Sequence, residues 1–176
     1  MNLKENFAIF GMIEIPSILT LLNGVCGLIA IFFAVEKEFY FAAGFMLAAG
    51  IFDFLDGRIA RLMKKETLMG KELDSICDMV SFGVAPAVLA FMTTENIGQG
   101  WIFAAIIYVL YFVAAAMRLA RFNVDKKEKS YKGMPSTING VIVPILFYMG
   151  LTSWYPLWFL IAAVLMVSAF KVPKVI

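Results

Sequence analysis

Two stretches without a single charged side chain constrain this chain more than anything else in it: residues 15–35, 21 residues long, and residues 133–170, 38 residues long. A helix crosses the hydrocarbon of a bilayer with about 20 predominantly apolar residues. The first stretch therefore fits one membrane span and the second is too long for one. The rest of the composition agrees. Of the 176 residues, 62% are hydrophobic and 16% charged, with a mean hydropathy of +0.86, against about 45–50% apolar and 25% charged in soluble domains. The expectation is an all-α, polytopic integral membrane protein.

Residues 39–52 are uncharged, and the helical pattern continues past two aspartates to about residue 63. A third span runs over 72–94, uncharged from Met79 on, and a fourth over 96–121. Within 133–170, the turn residues and interfacial aromatics of 150–156 divide the segment into spans near 134–151 and 155–171. Six transmembrane helices result, in one membrane domain covering 1–176. When the loops alternate sides, 14 of the 15 basic residues fall on one side, with Lys37 opposite. The positive-inside rule places both termini in the cytoplasm. Residues 1–14 carry Leu3, Phe7 and Phe10 at helical spacing, which suggests either a short interfacial helix or a frayed start, and only Lys4 precedes the long first span, against a cleavable signal. Asp53–Asp78 has no counterpart in the second half, against an inverted-repeat transporter.

The chain contains no histidine, which removes the commonest general base, His-ligated metal sites and Ser-His-Asp catalysis. Cys26 and Cys77 are isolated in apolar surroundings and read as small hydrophobes. Any chemistry falls to carboxylates, hydroxyls, Lys and Arg.

Four aspartates stand out. Asp53 and Asp56, at i and i+3, share a face of the second span; Asp74 and Asp78, at i and i+4, share a face of the third. A loop near 63–70 joins these helices as antiparallel neighbours, so all four carboxylates converge at one end of the pair. Asp53 precedes Lys64 by 11 residues, about 16 Å of helix, which puts it below the headgroups. Carboxylates at that depth are expensive and imply function. Pairing with Arg58, Arg61 and Lys71 is the structural alternative. Without cations enough to neutralise them, divalent ions resolve their repulsion, and an all-oxygen donor set favours Mg²⁺ or Mn²⁺ over zinc. Two ions bridged by a shared carboxylate suit phosphoryl chemistry.

In order the residues read Asp53-x2-Asp56-Gly57-x2-Ala60-Arg61-x8-Gly70-x3-Asp74-x3-Asp78. The pattern resembles the signature of the CDP-alcohol phosphotransferase family at every fixed position. That resemblance implies transfer of a phosphatidyl-type group from a CDP-linked lipid to an alcohol, with release of CMP. It implies that Asp53, Asp56 and Asp74 hold two divalent cations, Mg²⁺ or Mn²⁺, and that Asp78 completes the metal site and acts as general base. Gly57, Ala60, Arg61 and Gly70 would surround the nucleotide. Thr20 and Asn23, near the cytoplasmic end of the first span, resemble family positions beside the CDP moiety; without the family, Asn23 reads equally as interhelical glue. A homodimer is implied by the same resemblance.

The acceptor is read from a second cluster. Arg118 and Arg121 end the fourth span, followed by Phe122-Asn123, and Gly133-Met-Pro-Ser136 opens the fifth. With Asp78-Met-Val-Ser-Phe-Gly83, they resemble the phosphatidylserine synthase branch of the family, departing from it at Thr137, where that branch often has a second proline. The arginines either snorkel as membrane anchors or bind an anionic acceptor. The branch implies an acceptor site of Arg118, Arg121 and Ser136 for L-serine, with CDP-diacylglycerol or CDP-archaeol as donor and the active site facing the cytoplasm. A phosphorylated polyol such as glycerol phosphate or inositol phosphate is the nearest alternative acceptor, and a divalent-cation transporter the alternative from another class. Lys126-Lys127-Glu128-Lys129 reads as a solvated loop near anionic headgroups; no soluble domain is present to bind nucleic acid.

Overall fold

A computed structural model describes residues 15–63, 67–94, 100–124, 131–168 and 171–172. The interfacial helix expected over 1–14 and the basic loop at 126–129 lie outside the described residues. Helix α1, Ile15–Val35, turns at Lys37 into α2, Phe39–Met63. Helix α3 runs Leu68–Thr94 and α4 Trp101–Val124. These four are long and apolar enough to cross a membrane. Two shorter apolar helices follow, α5 at Thr137–Tyr148 and α6 at Tyr155–Val167, of 12 and 13 residues. At 1.5 Å per residue they reach only about 18–20 Å.

The chain is not helical throughout. Tyr131–Lys132 (β1) pairs antiparallel with Lys171–Val172 (β2), and the Met134 amide donates to the Leu165 carbonyl at 3.2 Å. This two-residue ladder, in a fold otherwise all-helical as expected, ties the entry to α5 to the exit from α6. The third helix also starts earlier than hydropathy suggests. Thr67 caps it, its Oγ1 accepting from the Gly70 amide at 3.0 Å, so residues 68–71 are drawn into helix by the cap.

The interior is built from small residues and a few large rings. Ala30, Ala34, Ala42, Ala43, Ala49 and Ala115 are buried, which lets α1, α2 and α4 approach their neighbours closely. Against them, Phe159 of α6 meets Tyr108 and Tyr111 of α4 edge-on, at centroid distances of 5.0 and 4.6 Å. Helix α1 packs on both α2 and α3, α4 on α6, and α2 on α5. The contact of α1 with α3 is backbone-close: a Cβ on Gly24 would lie 2.8 Å from Cys77 Sγ, and one on Gly27 2.7 Å from Ser81 Cα. That approach brings the polar side chains of α1 to the carboxylates of α3.

Candidate active site

Helices α2 and α3 bring their aspartates together as antiparallel neighbours. Carboxylate oxygens of Asp53, Asp56 and Asp74 all lie within 4.8 Å of one another. Opposite oxygens around a hard cation are separated by twice the metal–oxygen distance, about 4.1 Å for Mg²⁺ and about 4.8 Å for Ca²⁺. Three carboxylates at that spacing, from two helices, fit an oxygen-ligated divalent ion. Asp78 sits one turn deeper, outside that group of three and side by side with Asp53.

Helix α1 supplies donors. Thr20 Oγ1 donates to Asp56 Oδ2 at 2.6 Å, and Asn23 Nδ2 to Asp78 Oδ1 at 3.1 Å. Both are buried. Asn23 Oδ1 is also buried and accepts no hydrogen bond from the described residues. Thr20 and Asn23 thus contact the carboxylates directly. Gly57 lies on the open side, where a Cβ would meet nothing within 4 Å, so a ligand can approach its backbone. Ala60 and Gly70 are half-buried on the same helix ends. Of the basic residues nearby in sequence, Arg58 and Arg61 turn elsewhere: Arg61 Nε donates to the Gly57 carbonyl at 3.0 Å, and Arg58 lies 5.9 Å over the Phe54 ring.

The second cluster divides. Arg118 Nη1 donates to Ser136 Oγ at 2.9 Å, and the guanidinium lends positive charge to the surroundings of Asp53. These two residues border the carboxylates. Arg121 does not join them; its Nη2 donates to the Val167 carbonyl at 3.4 Å, at the C-terminus of α6, where a cation complements the helix dipole. Asn123 links α3 to α4, accepting from Ser75 Oγ and donating to Glu72 Oε2, each at 3.2 Å.

Two participants escaped the sequence reading. Thr137 lies beside Asp53, at the very position that departs from the branch pattern. Ser81 Oγ donates to the Asn23 carbonyl at 2.9 Å. The available signal for Ser81 was Asn23-Gly24-x2-Gly27, a small-residue spacing that marks close helix contact; a lone threonine at a helix start carries no such signal.

The family model for CDP-alcohol phosphatidyltransferases matches residues 13–170. The chain belongs to that family. It is 37% identical over 159 residues to the CDP-diacylglycerol–serine O-phosphatidyltransferase of Mycobacterium leprae, covering 83% of this chain and 52% of the relative. It is 35% identical over 136 residues to the enzyme of the same name from Bacillus subtilis, covering 76% and 75%. Against the archaetidylserine synthase of Methanothermobacter thermautotrophicus it is 32% identical over 172 residues, covering 95% and 72%. The chain spans about half the length of the mycobacterial relative and roughly three quarters of the other two.

Proposed function

We propose that this chain transfers the phosphatidyl or archaetidyl group of a CDP-linked lipid to the hydroxyl of L-serine and releases CMP. The observation that carries the reading is the aspartate cluster with the Arg118–Ser136 pair on its border. That juxtaposition offers a site for a metal-neutralised pyrophosphate next to a site for an anionic acceptor. The names of the relatives supply the acceptor and the donor lipids.

In this reading Asp53, Asp56 and Asp74 hold two divalent cations, Mg²⁺ or Mn²⁺, with Asp78 completing the set. Cations bound there would supply positive charge to the pyrophosphate and to the departing CMP. Gly57, Ala60 and Gly70 leave room for the nucleotide against the helix backbone, and Arg61 offers a forked donor to phosphate. Thr20 and Asn23 orient the carboxylates at the nucleotide's edge. Asn23 engages Asp78 Oδ1, and in this reading Asp78 takes the proton of the serine hydroxyl. The freed oxygen attacks phosphorus, the phosphorus–oxygen bond to CMP breaks, and the proton passes from Asp78 to water. Arg118, presented by Ser136, holds the serine carboxylate in a charge-assisted bond.

The membrane arrangement belongs to the same reading. Helices α5 and α6 complete six spans in a single domain, with both termini and the active site on the cytoplasmic side of the cell membrane, in a homodimer. The ends of α2, α3 and α4 that carry Arg58, Arg61, Lys71, Arg118 and Arg121 support that orientation.

Purified protein supplied with CDP-diacylglycerol and Mg²⁺ or Mn²⁺ tests the reaction. Serine-dependent release of CMP, abolished by a chelator, is the expected result. Release only with glycerol phosphate or inositol phosphate would overturn the acceptor, and ion flux across vesicles with no release would overturn the reaction.

A further inference from the structure

Asp78 stands at a break in its helix. The next six residues, Met79–Val84, form a π-helical turn, in which the Ala85 amide donates to the Val80 carbonyl five residues back. Such turns are rare and recur at functional sites. Pro86 has no N–H, so the Phe82 carbonyl, four residues earlier, lacks an α-helical donor. An unsatisfied carbonyl in a membrane interior is costly. The donor comes from another helix: the Tyr111 hydroxyl of α4 donates to the Phe82 carbonyl.

Tyr111 is fully buried and fixed on its own side. Its ring meets Phe159 at 4.6 Å, and its hydroxyl lies beside Asn139, whose Oδ1 accepts from Trp158 Nε1 at 3.0 Å. The turn is seated in glycine notches. A Cβ on Gly140 would come within 2.2 Å of the Phe82 ring, and one on Gly27 within 2.3 Å of Ser81 Oγ. Asn23 then grips both the turn and the aspartate, its carbonyl accepting from Ser81 and its Nδ2 donating to Asp78. Shifting the register of this turn would move Asp78.

We propose that Tyr111 is a positioning residue for the transfer reaction: by capping the carbonyl that Pro86 leaves without an α-helical donor, it holds the π-turn in the register that aims Asp78 at the acceptor. This rests on Asp78 being the base. The test is a cycle of Tyr111→Phe and Pro86→Ala, since the second restores an N–H able to bond Phe82 from within the helix. Hydrogen–deuterium exchange over 79–90 reads the cap without reference to activity. Tyr111→Phe should speed exchange there, and Pro86→Ala should largely reverse the change; unaltered exchange overturns the proposal. Kinetics, normalised to CDP-binding sites, read the role. Tyr111→Phe should lower kcat about tenfold with both KM values nearly unchanged, as expected for a misplaced catalytic group. In the Pro86→Ala background that loss should shrink. Unchanged kcat per site, or the same loss in both backgrounds, overturns the proposal. If Tyr111→Phe alone fails to fold, recovery of CDP binding in the double variant supports it and failure to recover overturns it. A wild type that releases no CMP with serine would instead fail the proposed reaction, leaving the exchange arm to decide the cap.

Discussion

Asp78 occupies a buried position with one oxygen engaged by Asn23, while the Oδ1 of that asparagine has no partner among the described residues. Asp78→Asn keeps the shape of the side chain, removes a charge beside Asp53 and adds an N–H that the idle Asn23 oxygen can accept. The protein should therefore hold or raise its Tm while kcat falls by about 10²–10⁴, the usual contribution of a general base. Near-normal turnover of the purified variant would remove Asp78 from that role. The two arginines of α4 separate in the same way. Arg118→Lys loses the fork that meets a carboxylate and should raise the KM for serine about tenfold, roughly 1.4 kcal/mol of binding, with kcat little changed. Arg121→Ala should leave that KM alone, because Arg121 addresses the end of α6. Equal effects of the two substitutions on the serine KM would contradict this division.

Two glycines with left-handed backbone test the joints between elements. Gly150, at φ 71°, ends α5 in a Schellman turn: the Leu151 amide donates to Leu146 and the Gly150 amide to Phe147, each at 2.9 Å. A Cβ there would meet nothing within 4 Å, so Gly150→Ala should cost only the conformational penalty, about 1–2 kcal/mol. Gly133, at φ 81°, is different, because its Cβ would lie 2.6 Å from the Met166 carbonyl oxygen. Gly133→Ala must also push the entry of α5 away from α6, should cost at least about 3 kcal/mol, and should disturb Ser136 three residues on. Thermal unfolding in micelles compares the two, and equal costs would rule out the tight contact at Gly133. This is also the scale at which the sequence was least legible. Hydropathy and spacing exposed the long apolar helices and the shared faces of the four aspartates. They could not show the β1–β2 pairing, a long-range contact of two residues, nor the destination of Arg121, which depends on where the end of α6 arrives. The π-turn after Asp78 was hidden because its cause is divided between Pro86 in α3 and Tyr111 in α4.

Across the whole molecule, the aspartate cluster sets stability against function. Asp53, Asp56 and Asp74 are held within 4.8 Å of one another at the joined ends of α2 and α3, so in the absence of a cation their repulsion works to part the two helices. An ion bound there converts the repulsion into a link between them. A ligand specific for the folded state adds about 2.7 kcal/mol at a hundredfold excess over its Kd. For a chain of this size that corresponds to a rise in Tm of roughly 5–10 °C when Mg²⁺ or Mn²⁺ is added to chelated protein. Asp74→Asn should remove most of that rise and should itself raise the Tm of the metal-free protein, because one of the repelling charges is gone. The two signs together separate a metal site from a set of structural carboxylates. Carboxylates that served packing would give the reverse pattern: a lower Tm for Asp74→Asn in chelator, and no difference between variant and wild type in their response to the cation.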